Sequence, residues 1–158
     1  KKDLSTAQQK ALSNVQLQDV CNFFMGTLIV SDDPLFNREV VINKIIIERD
    51  TPLPVSKTET VVTRYENQTA ISCEITQSEG PEKNREFVNI IHEGELELPP
   101  NRPKGQPIEV TYSYDTSGKM HCQFKDVKSG KKYEVDVRPK ASLDIDNQLS
   151  EINEITIE

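Results

Sequence analysis

The chain holds 158 residues, 35% of them hydrophobic and 28% charged, with nine prolines and a formal net charge of −7. That length supports one domain with a real core but not comfortably two, and the proline and charge content fits a β domain with polar loops. The negative balance, the absence of tryptophan and the lack of a Lys/Arg stripe interleaved with aromatics argue against nucleic acid and anionic membrane surfaces as partners.

Lys1 and Lys2 lead into a Gln-rich segment, not an oily leader, so no secretory signal is read here. The first residue is not Met, and the expectation is a piece of a longer protein. Ser5 is placed to cap a short helix over Ala7–Leu12. From Asn14 to Val20, Val15 and Leu17 alternate with Gln16 and Gln18, which reads as an extended linker able to pair or dock. Phe23 to Val30 is the first firm strand, and Ser31 to Asn37 is a polar loop around Asp-Asp-Pro. Asn43 to Glu48 is a strand in which Ile45, Ile46 and Ile47 run together, a pattern compatible with burial on both sides. Thr51-Pro52-Leu53-Pro54 blocks helix and central strand alike, since neither proline has an N–H.

Lys57 to Arg64 is a Thr/Val strand, Glu66 to Gln68 a turn, and Ala70 to Thr76 another alternating strand. A charged loop, Ser78 to Arg85, precedes a strand region at Phe87–Leu98 and a Pro-rich loop at Pro99–Pro107. The clearest signal follows. Ile108, Val110, Tyr112 and Tyr114, then Met120, Cys122 and Phe124, then Tyr133, Val135 and Val137 repeat with period two. Asp-Thr-Ser-Gly and Ser-Gly supply the turns. This is an antiparallel meander with one oily face, and the chain reads as all-β, an antiparallel two-layer sandwich. Asp144 to Glu158 is acidic, with one or two helical turns that need a partner.

Groups that could carry chemistry are thin. His121 and Cys122 are neighbours on a strand and so point to opposite faces. Cys21, Cys73 and Cys122 are odd in number and widely spaced, as in reduced thiols of a cytoplasmic protein, and they form no C-x-x-C. No zinc spacing and no Gly-rich phosphate loop is present, so neither metal nor cofactor is assigned to this stretch. Asn67-Gln68-Thr69 matches a glycosylation sequon but reads as a turn. What survives is a binding surface for an extended peptide, with Met25, Thr27, Ile29, Val61, Ile71 and Cys73 near loop-bearing strand ends. From pattern alone, plain core packing is the commoner explanation of the same residues.

From Val15 to about Val137 the chain resembles the linker and peptide-binding β-domain of the seventy-kilodalton, DnaK-type heat-shock chaperones. Val15 to Val20 resembles the interdomain linker, and Met25-Gly26 stands where that family has Leu-Gly. Asp50 to Pro54 is similar to Asn-Thr-Thr-Ile-Pro, and Asn67 to Ile71 to Asn-Gln-Ser-Ala-Val. Gly94 to Leu98, Pro103-Lys104-Gly105, Pro107 to Tyr112, Ser117 to Asp126 and Ser129-Gly130-Lys131 complete the series in the family's order.

The resemblance implies a sandwich whose loops clasp an extended hydrophobic segment of an unfolded client. ATP and Mg would belong to a nucleotide-binding domain upstream. Residues 1–20 would end that domain and supply the linker (Val15, Leu17, Asp19), 21–140 the sandwich, and 141–158 the start of a helical lid. Ile71 would floor the central pocket, and Met25, Thr27, Ile29, Val61, Cys73 and Ile108 would wall it. Arg64 and Val30 would arch over the peptide, while Gln68 and Ser72 lie where contacts to its backbone fall. Implied partners are unfolded peptides, co-chaperones and a neighbour's linker or tail docked in the groove. Departures are a charged arch at Arg64, Thr27 for Ile and Val61 for Phe. They predict a more polar groove. The rival readings are an interaction module that kept the fold but lost general peptide binding, and a thiol enzyme built on Cys122 and His121.

Overall fold

The computed structural model describes residues 19–139. Its strands are β1 (Phe24–Asp33), β2 (Arg38–Ile47), β3 (Val55–Val62), β4 (Ala70–Ser78), β5 (Asn89–Glu97), β6 (Pro107–Tyr114), β7 (Met120–Asp126) and β8 (Lys132–Val137), with a 3-10 turn at Arg85–Phe87. They form two four-stranded antiparallel sheets, ordered β2-β1-β4-β5 and β3-β6-β7-β8. The all-β sandwich is therefore the fold. The expected helix near Ala7, the linker positions Val15 and Leu17, and residues 141–158 lie outside the described part.

The meander packs as its alternation dictates: every second residue of β6 and β7 is buried. Ile108, Val110, Tyr112, Met120, Cys122 and Phe124 meet Met25, Ile47, Cys73 and Ile75 of the other sheet. Tyr112 is wholly buried, and its hydroxyl donates to the Gly26 carbonyl at 2.6 Å, joining the two sheets. Gly26 sits at a register shift of β1, where a side chain would collide with the Lys44 carbonyl and with Asn43 and Thr76.

The first hairpin is longer than its sequence pattern announces. The strand expected to stop at Val30 continues to Asp33, and β2 begins at Arg38, because Ser31, Asp32 and Asp33 pair with Val40, Glu39 and Arg38. Ser31, Asp32 and Asp33 are polar on both faces, so no periodicity betrays them. The isoleucine run lies on an edge strand, with Ile45 only half-buried. The edge of β2 is covered by the charged loop after β4. Asn43 donates its backbone N–H to the Lys83 carbonyl at 2.8 Å and its side-chain amide to the Glu82 carbonyl at 3.0 Å. Residues 19–21 lie along residues 50–53: Leu53 donates to the Asp19 carbonyl at 2.9 Å and Cys21 to the Thr51 carbonyl at 2.8 Å.

The loop between β5 and β6 is pinned beneath the loop between β3 and β4. Asn67, at φ 56°, accepts the Asn101 N–H on its side chain at 2.7 Å and donates its own N–H to the Arg102 carbonyl at 2.8 Å. Gly105 donates to the Thr63 carbonyl at 2.9 Å, and the Thr63 hydroxyl accepts from the Gln106 N–H at 2.9 Å. Arg102 reaches Asp126, which is fully buried, with Nη1 2.8 Å from Oδ2. That contact lacks hydrogen-bond alignment, so it is a charge pair, and the carboxylate takes its directed bond from the Ser129 hydroxyl at 2.6 Å.

Candidate functional site

β1 and β4 are neighbours for only part of their length. Their ladder runs from Phe24↔Ser78 to Thr27↔Ile75 and then ends. β1 continues to Asp33 with β2 as its partner, and β4 begins at Ala70 with β5 as its partner. The two strands have parted, and the facing edges of residues 28–33 and 70–74 carry no strand ladder among the described residues. Thr27 closes the fork, its hydroxyl donating to the Glu74 carbonyl at 2.7 Å. Beyond it opens a cavity of about 490 Å³.

Apolar residues line the interior: Ile29, Val30, Val41, Val61, Val62 and Ile71. Polar groups ring the mouth. Lys44 pairs with Glu59 at 3.4 Å. Burial, reinforced by Glu93, pushes the Glu74 carboxyl above its usual value, with Arg85 opposing. Arg64 leaves the β3–β4 loop and meets the β1–β2 hairpin, with Nη2 2.6 Å from Asp32 Oδ1 and 3.4 Å from Glu39 Oε2. The Asp32 contact holds the guanidinium above its usual value. Tyr65 donates its hydroxyl to Glu39 Oε1 at 2.5 Å, which raises the phenol.

Of the residues singled out from sequence, Ile29, Val30, Val61, Arg64, Gln68, Ile71 and Ser72 come together around this cavity. Gln68 spends its amide inside its own loop. Its Oε1 accepts from the Arg64 N–H at 2.8 Å, and its Nε2 donates to the Ala70 carbonyl at 3.0 Å. Met25, Thr27, Cys73 and Ile108 do not line the cavity. They were expected as walls, and the structure places them in closed core, at 0–2% exposure. The reason is depth along the strand. Cys73 shares a face with Ile71, but it lies toward the fused end of the sandwich, where both sheets are filled. Asp19 stands apart from the cavity, in the bridge to residue 53.

Sequence reasoning missed Asp32, Glu39 and Tyr65, which build the bridge over the mouth with Arg64, and also Lys44, Glu74 and Arg85 on its rim. The weak signal for the bridge was a pair of carboxylates flanking a four-residue hairpin turn. His121 and Cys122 form no reactive pair. His121 bonds to Asp136 at 2.7 Å on the outer face, and Cys122 is fully buried with its thiol pushed up by desolvation. Among the described residues no three His, Cys, Asp or Glu gather as a metal site, and no helix is long and apolar enough to cross a membrane.

A family model described as Hsp70 protein matches residues 7–156. The Chaperone protein DnaK of Anaplasma marginale (strain St. Maries) is 32% identical over 99 residues, which is 62% of this chain and 15% of that relative. The match thus spans a minor part of the relative's length.

Proposed function

The chain belongs to the Hsp70 family, and from that premise we propose that its forked sheet holds an extended apolar segment of an unfolded protein. One observation carries the reading: β1 and β4 part after Thr27↔Ile75, leaving two unladdered strand edges on either side of an apolar cavity. An extended segment offers the main-chain donors and acceptors that such edges lack, and alternate side chains fill the space between. A cavity of about 490 Å³ has room for a leucine side chain. Burying that side chain contributes about 1.5–3 kcal/mol. A few main-chain hydrogen bonds add about 1 kcal/mol each. These two contributions alone fall short of the about −8 kcal/mol of a micromolar complex, so the flanking side chains of the segment supply the rest, and a complex of that strength still permits release. In the whole protein, binding would answer to ATP and Mg in a nucleotide-binding domain, with co-chaperones setting the cycle.

Fluorescence anisotropy of a labelled heptapeptide with a central leucine tests this. Micromolar binding is expected, with loss of affinity when serine replaces that leucine. Equal binding of both peptides, or of neither, overturns the reading. The bridge of Arg64 to Asp32 and Glu39 favours a second one, an interaction module with a narrow set of partners. A peptide-array screen separates the two: broad capture of oily heptamers fits the chaperone domain, and capture of one or a few sequences fits the module.

A further inference from the structure

We propose that an ionic clasp shuts the two jaws of the groove, and that its opening sets how fast a client segment enters and leaves. The inference rests on the peptide-binding reading of the same cavity. One jaw is the β1–β2 hairpin and the other the β3–β4 loop. Asp32 and Glu39 stand directly opposite each other across the hairpin ladder. Like charges so placed repel, and the hairpin's own cation, Arg38, is paired with Asp33 at 3.9 Å. Arg64 supplies the missing cation from the opposite jaw and touches both carboxylates.

Its own backbone is fixed, because Gln68 Oε1 accepts the Arg64 N–H. Tyr65 adds a third contact from the same loop to Glu39. All three cross the mouth past the point where the β1–β4 ladder has ended.

The clasp is built to be weak. Asp32 is 77% exposed, Glu39 45% and Arg64 27%. Exposed pairs of this kind shift an equilibrium by only a few-fold each, roughly ten-fold for the set, and salt screens them. A bridge of apolar side chains over the same mouth would show no such dependence. The oily cavity below therefore sets which segments bind, and the charges above it set the rate of exchange.

Stopped-flow measurement of the leucine heptapeptide on the 158-residue chain tests the proposal. In Arg64→Gln at low salt, association and dissociation both accelerate roughly ten-fold, and the Kd moves by less than about three-fold. Raising salt to about 0.5 M accelerates the wild type toward the variant and leaves the variant unchanged. Arg64→Glu combined with Asp32→Lys and Glu39→Lys restores slow exchange. Wild-type rates that ignore salt and match those of Arg64→Gln overturn the clasp.

A second readout needs no peptide. Spin labels at Asn37→Cys and Glu66→Cys report the distance between the jaws, since the three native cysteines are buried. A narrow distance distribution that broadens in Arg64→Gln supports the clasp, and identical distributions overturn it. If neither protein binds the heptapeptide, the peptide-binding reading fails by itself, and the spin-label distances still decide whether the jaws are clasped.

Discussion

Ile71→Phe places an aromatic ring where the floor of the cavity now lies open. Ile71 lines the cavity and also packs against the core, so its side chain marks the boundary between filled and empty space. The added carbons grow into the cavity, because the core behind them is already closed by Leu96 and Cys73. A client leucine then loses the place that contributes about 1.5–3 kcal/mol. Affinity for the leucine heptapeptide should fall roughly ten- to hundred-fold. Fold stability should shift by less than about 1 kcal/mol, since the ring fills a void and displaces no packed atoms. Ile71→Val removes one methylene, about 0.8 kcal/mol at most, and should weaken the same peptide by no more than about four-fold. Anisotropy titrations read the affinities, and urea midpoints check the fold. Unchanged affinity in Ile71→Phe, with the fold intact, would show that Ile71 serves the core alone and that the client-binding assignment of this cavity is wrong.

Asp126→Ala leaves the Arg102 guanidinium, 18% exposed, without its partner, and urea unfolding should show a loss of about 3–5 kcal/mol. Replacing both, Arg102→Met with Asp126→Leu, should recover most of it; a double variant as unstable as the single one contradicts the charge argument. His121 is held above its usual pKa chiefly by Asp136 and then by Glu134, while Asp136 is held low by His121. The imidazole's share of stability is thus present below about pH 6.5 and lost as pH rises through its higher folded value. The Asp136 share is present above about pH 3.9 and fades as pH falls through its lowered folded value. Both shares describe one half-exposed contact, so the effect is small, and a His121→Gln variant should lose the decline on the alkaline side of the urea-midpoint profile. Burial pushes the Cys73 thiol up to about 12 and raises Cys122 as well, so iodoacetamide at neutral pH should label neither until denaturant is added. Rapid labelling of either in the native protein would place a reactive thiol at the surface.

The meander was legible because its residues answer to one rule. Tyr112 and Phe124 face the core, Thr111 and Gln123 face outward, and period two says so directly. The hairpin end was not legible. Ser31, Asp32 and Asp33 are strand residues by virtue of their partners Val40, Glu39 and Arg38, and pairing leaves no mark in a polar run. The face of each site residue could be read, but its depth could not. Ile71 and Cys73 look alike in sequence, and both stand on the part of β4 that has left β1, yet one borders the cavity and the other is sealed deeper in the core. The charges over the mouth were the least legible part. Arg64 lies 32 residues from Asp32 and 25 from Glu39 in sequence and meets them only through the fold.

The loop carrying Thr63 and Asn67 is bolted down at both ends by residues 101–106, and beneath them Arg102 is anchored on Asp126. Among the described residues the opposite lip has no backbone fastening of that kind past Thr27 except the Ile42 bridge to Asn84 at its base, and toward its tip only the exposed side-chain contacts of Asp32 and Glu39 to Arg64 and Tyr65 hold it. Any widening of the gap is therefore one-sided, a swing of the finger formed by residues 28–42 about a pivot at the Gly26 irregularity. Substitutions at the tip of that finger, Leu35 or Phe36, can alter traffic through the gate while the foundation of the sandwich stands undisturbed.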